Sequence, residues 1–191
     1  MSVAKLAARA LIGGLFIGHG TQKLKGWFGG PGLEGTDGMM QSLDMHPARR
    51  NSLAAGVTET AGGTLLALGL ATPLASAGLI GVMTTAIRKV HLPNGPWAAQ
   101  GGWEYNAVMI AVLAVLSEEG PGDVSLDRAL GIERSGVLWG LGALAVGVAA
   151  STASIEAGRR SAPPAVGSAG GAGADGGSPY PDTAGDPVSD E

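Results

Sequence analysis

Polar and apolar positions in this chain fall into long blocks instead of alternating with a helical period. The first apolar block runs from about Ala4 to Thr21, with LIGGLFIG at its centre. HGTQKLKGW follows it where a small-x-small cleavage pattern would stand, so the block reads as an uncleaved transmembrane helix. From Thr60 to Ile87 no charged residue occurs, a run too long for one crossing of about 20 residues. Extended back through Glu59 to Leu53 and forward to His91, it gives two helices turning at Gly69, Thr72 and Pro73. A connection this short makes them antiparallel. A fourth block covers Trp103 to Leu116, and a fifth, Ser135 to Ile155, carries no charge at all. Weak periodicity within the blocks fits helices that are apolar all round. The pattern predicts an all-α, polytopic transmembrane bundle, with a four-helix core over about 4–131 and an extra C-terminal helix over about 135–155. Residues 161–191 are Gly, Ala, Pro and Asp-rich and predict a disordered tail.

Composition sharpens this reading. Of 191 residues 45% are hydrophobic and only 15% charged, against roughly a quarter charged in an ordinary soluble domain. A soluble bundle would need a polar face on every helix. The chain has no cysteine, which excludes disulfides, thiolate zinc sites, iron–sulfur clusters and a redox dithiol within it. A net charge of −4 argues against a nucleic-acid partner. The partner implied is the lipid bilayer.

Within apolar blocks the polar residues are informative, because a central charge costs about 2.5–3.5 kcal/mol to insert. His19 and Lys23 end the first helix, and Glu59 lies in the first turns of the second. Arg88, Lys89 and His91 close the third, and Glu104, Tyr105 and Asn106 open the fourth. Alternating helix direction brings these groups to one side of the membrane. The long loops 26–51 and 92–102 lie there too, with Trp27, Phe28, Trp97, Trp103 and Tyr105 at the depth aromatic rings prefer. The opposite side carries only the turn at Thr72 and Pro73 and a modest loop, Ser117 to Arg134, and reads as nearly bare. The candidate polar pocket therefore comprises His19, Lys23, Glu59, Arg88, His91, Glu104, Tyr105 and Asn106. Arg9 either snorkels to the bare side, the cheaper arrangement, or turns inward to Glu59.

Sharper motifs fare poorly. Gly30, Gly32 and Gly35 satisfy G-x-G-x-x-G, but no strand precedes them, as dinucleotide binding requires. A metal held by His19, Glu59, His91 and Glu104 would lack the Glu-x-x-His pairs of di-metal bundles, since Gly62 and Ala107 stand where histidines would be; no metal site is expected. Gly14 with Gly18, and Gly136 with Gly140, are spaced for close helix approach.

The stretches HGTQKLKGWFGGPGLEGT (19–36), TETAGGTLLALGLATPLA (58–75) and GGWEYNAVMIAVLAVLSEEGPGDVSLDRALG (101–131) resemble the DoxX family of small bacterial membrane proteins. The resemblance implies a four-helix transmembrane bundle in the cytoplasmic membrane. It also implies a link to quinol oxidation, since DoxD relatives are similar to the membrane part of thiosulfate:quinone oxidoreductase and some members are associated with redox-stress complexes. His19, Lys23, Glu59, Glu104, Tyr105 and Asn106 match the family's motif positions without acquiring a role from it. The fifth helix and the tail lie outside the family's core.

Three functional classes follow as expectations. The first is an accessory subunit of a quinone-linked or redox-stress system, binding quinone or docking soluble redox enzymes or other membrane subunits; no redox cysteine, haem-ligand pair or flavin motif provides for stand-alone catalysis. The second is a small proton-coupled transporter, although no inverted repeats are evident. The third is a non-catalytic scaffold whose polar cluster only locks helices together. Lys23, Lys25, Arg49, Arg50, Arg88, Lys89, Arg159 and Arg160 outnumber Lys5, Arg9, Arg128 and Arg134, which places the elaborated side in the cytoplasm.

Overall fold

A computed structural model describes residues 3–163, so most of the stretch expected to form a tail lies outside the described residues. Among the described residues there are helices and turns and no strand. The helices are α1 (Val3–Lys25), α2 (Gly32–Ser42), α3 (Ala48–Leu68), α4 (Thr72–Ala86), α5 (Glu104–Glu119), α6 (Leu126–Ala129) and α7 (Val137–Arg160). Each of the five apolar blocks became one of the long helices. α4 widens into a π turn over Ile87–His91, and α2 occupies the first loop, where no helix was expected.

The turn between α3 and α4 shows how local chemistry sets the topology. Gly69 ends α3 at φ 64°, with its N–H on the Leu66 carbonyl (3.0 Å) and the Leu70 N–H on the Leu65 carbonyl (2.9 Å). This paired closure needs a residue that tolerates the left-handed region. Pro73 then sits in the first turn of α4, where its missing N–H costs nothing.

α1 packs along α3 with the backbones in contact. A Cβ added at Gly13 would lie 2.5 Å from the Gly63 carbonyl oxygen, and one at Gly63 would lie 2.6 Å from that of Gly13. Gly14 and Gly18, the pair the spacing singled out, face open space. The close approach uses the neighbouring register instead, because the buried edge of α1 runs through Gly13, Phe16 and Gly20. Gly63→Val is therefore expected to lower stability by about 1–3 kcal/mol through overpacking. Gly14→Ala should be neutral or slightly stabilising. Thermal melts of the two variants in one detergent check both.

α7, expected as an addition to a four-helix core, packs against α4 and α5. Its Ser151 hydroxyl accepts a hydrogen bond from Thr85 at 3.0 Å. The interior combines an apolar core of Phe16, Leu66, Leu79, Ile80 and Leu113 with buried polar groups, and the outer face is apolar as well. Glu59 is 1% exposed, and Asn51, Ser76, Asn106, Ser117 and Ser151 are buried, while Leu138 is 84% exposed. Leu11, Leu15, Val57, Leu74, Val108 and Leu141 also face outward. Among the described residues, one helix, Val137–Arg160, is long and apolar enough by length and composition to cross a membrane. The other four predicted spans fall short for two physical reasons. α1 and α3 carry Lys5, Arg9, Lys23, Lys25 and Arg49, Arg50, Glu59 respectively, and α4 and α5 have 15 and 16 residues against about 20 for a crossing.

The side expected to be bare is roofed. Lys5 donates to the Glu119 carbonyl at 2.7 Å, and the chain from Gly120 folds over the helix ends. Asp127, buried in that roof, accepts from the Ala71 N–H (2.7 Å), the Thr72 N–H (3.1 Å) and the Thr72 hydroxyl (3.2 Å). It thereby supplies the N-terminal cap of α4 from a distant segment. Arg9 neither snorkels nor reaches Glu59. Its guanidinium is buried under the roof, donating to the Val124 carbonyl and feeling the charge of Asp127.

Candidate functional site

A cavity of about 590 Å³ opens at the other end of the bundle, lined by α1, α2, α3, α4, α5 and α7. Its ionic feature is Lys23 Nζ against Glu59 Oε2 at 2.6 Å. Glu59 lies 11 positions after Ala48, the first residue of α3, so it sits about 16 Å down the helix at 1.5 Å per residue, near its midpoint. Lys23 starts nearer the rim and reaches inward on its flexible stem. The Glu59 side chain is 2% exposed and that of Lys23 is 21%. His19, one turn before Lys23 on α1, lines the same cavity.

α5 adds Tyr105 and Asn106 to the wall; the buried Asn106 amide donates to Met83 Sδ at 3.4 Å. His91 lines the rim, with Nδ1 2.7 Å from the Gly101 carbonyl oxygen, which fastens the 92–102 loop to the π turn. Such wide turns are frequently found at functional sites.

Of the eight residues singled out by the sequence, the cavity gathers His19, Lys23, Glu59, His91, Tyr105 and Asn106. Arg88 and Glu104 stand elsewhere. Arg88 points to α7, where it donates to the Thr152 hydroxyl at 3.0 Å. Its neighbour Lys89 lines the cavity instead, because successive helical positions point in different directions. The Glu104 carboxylate accepts from the Ala98 N–H at 2.8 Å and closes the loop before α5. Spacing alone did not reveal the contribution of α2 and its following turn, Met39, Met40, Leu43 and Met45, nor that of Ser151 on α7. The adjacent methionines of GMMQ were the available signal for the first.

Gly30, Gly32 and Gly35 lie in the turn between α1 and α2 and the start of α2. Among the described residues no three His, Asp or Glu side chains gather into a metal-binding group. The cavity offers apolar walls, a charged pair deep inside, and imidazole, phenol and amide groups around it. That set orients a mostly apolar ligand carrying hydrogen-bonding oxygens.

Apolar outward faces together with a buried ion pair fit a membrane protein. A family model described as DoxX matches residues 4–92, so the chain is similar to the DoxX family over that stretch. The match contains His19, Lys23, Glu59, Arg88 and His91 and stops before α5, leaving Glu104, Tyr105 and Asn106 beyond it. No curated protein and no solved structure matches the chain.

Proposed function

We propose that this is a multi-pass protein of the bacterial cytoplasmic membrane whose cavity binds a quinone, serving as an accessory subunit of a membrane redox system. The observation that carries the reading is the Lys23–Glu59 pair, held at helix mid-depth inside a largely apolar cavity of about 590 Å³. A buried ion pair at that depth is expensive and marks a functional site. A quinone needs what surrounds it: donors for two ring oxygens, supplied by Lys23, His19, Tyr105 and Asn106, and apolar walls for ring and chain. Five crossings are supported by the large apolar side chains that face outward on all five long helices. The excess of Lys and Arg favours the cytoplasmic side for the cavity mouth, where soluble redox enzymes or other membrane subunits would dock.

Binding of a quinone analogue to detergent-purified protein is expected to weaken by about tenfold or more in Glu59→Ala and in His19→Ala, the scale of losing a charge-assisted hydrogen bond. Equilibrium dialysis measures it. Wild-type protein that takes up no analogue, or variants that bind as wild type does, would overturn the proposal. Solute flux into proteoliposomes without any electron donor would favour a proton-coupled transporter; the roof over the opposite end, with Arg9 and Asp127 buried in it, weighs against that.

A further inference from the structure

The chain has 6 methionines, and the five in the described residues, Met39, Met40, Met45, Met83 and Met109, all line this cavity. Leucine behaves in the opposite way. Of 21 leucines, Leu43 alone reaches the wall, and many of the others face outward on the helices. Hydrophobicity cannot produce this partition, because the two side chains are similar in size and apolar character. What distinguishes methionine is a polarizable sulfur on an unbranched stem. It adapts to irregular shapes and makes favourable contacts with ring systems.

The placement supports the same conclusion. Met83 and Met109 are buried on α4 and α5 at the inner end, near Phe16 and the Glu59 level, while Met39 and Met40 come from α2. A ligand in the cavity thus meets thioethers both at its inner end and on the α2 side. Phe16 and Tyr105 supply the phenyl rings of the wall and no tryptophan is present there, so the five thioethers outnumber the rings available for stacking. We propose that the cavity is specific for a planar conjugated ring, gripped by thioether sulfurs instead of by aromatic side chains. This deepens the quinone reading and rests on the same cavity, but the sulfur–ring grip and the recognition of ring oxygens are separable.

Three probes of one skeleton separate them: 2-methylnaphthalene (ring alone), menadione (ring with two carbonyl oxygens) and decahydronaphthalene-1,4-dione (carbonyl oxygens on a saturated skeleton). Binding is measured by equilibrium dialysis against wild-type protein and against the Met39→Leu/Met40→Leu/Met109→Leu variant. Met83 is spared because it holds the Asn106 amide. Three sulfur–ring contacts are lost together, so the variant should lose about tenfold in affinity for both conjugated probes and stay within about twofold for the saturated dione. The Met39→Leu/Met40→Leu variant, confined to the less buried α2 positions, should show the same pattern at smaller size, which covers the case of a poorly folded triple variant.

Equal losses for all three probes, unchanged affinity for all three, or no binding of any would overturn the inference. If methylnaphthalene binds as tightly as menadione and both depend on the sulfurs, the thioether grip stands and the quinone reading falls.

Discussion

Replacing Asp127 with alanine should destabilise the bundle by about 3–5 kcal/mol, the cost of leaving a buried charge without its partner. Two losses combine. The carboxylate holds the Ala71 and Thr72 N–H groups and the Thr72 hydroxyl, donors at a helix start that nothing within α4 can satisfy. Its charge also offsets that of Arg9, which is 1% exposed. Asp127→Asn keeps an acceptor but removes the charge, so it should fall between alanine and wild type. Thermal unfolding in detergent, followed by far-ultraviolet circular dichroism, ranks the three. An alanine variant that melts with wild type would show that the roof carries no such tether.

The second large effect concerns the ion pair in the cavity, and it is asymmetric. Lys23→Met leaves the Glu59 carboxylate, whose side chain is 2% exposed, without its ion-pair partner, at an expected cost of about 3–5 kcal/mol. Glu59→Leu should cost less, because the Lys23 side chain is 21% exposed and its stem can turn the ammonium toward the rim. The double variant Lys23→Met/Glu59→Leu should recover most of the stability lost in Lys23→Met, since a buried pair replaced by apolar side chains is often neutral. A double-mutant cycle on unfolding free energies gives the coupling directly. A double variant no better than Lys23→Met would mean that the pair is not the source of the loss.

Much of this architecture was legible in the residue pattern. Uncharged runs between short polar clusters located five helices, and alternation of direction placed His19, Lys23, Glu59, His91, Tyr105 and Asn106 at one end. Three features were not legible, each for a physical reason. Arg88 and Lys89 are adjacent, and only the rotation of the helix end, set by a π turn that leaves no mark in hydrophobic periodicity, decides which of them faces inward. Arg9 was weighed against water and against Glu59, but its hydrogen-bond partner Val124 and the charge of Asp127 come from more than a hundred positions away, in a loop whose modest polarity gave no hint that it folds inward. The close contact of α1 and α3 runs through Gly13 and Gly63 and not through Gly14 and Gly18. In a helix with glycines on two faces, spacing cannot tell which face meets a neighbour.

The reach of Asp127 back to α4 bears on the order in which the chain is made. α4 leaves the ribosome some fifty residues ahead of the group that finishes its first turn, since 127 follows 72 by 55 positions. Until α5 has been made and the segment behind it has folded back, that first turn exposes bare amide donors. The α3–α4 hairpin is therefore incomplete during synthesis, and this end of the molecule is sealed only after the last of its neighbours has arrived.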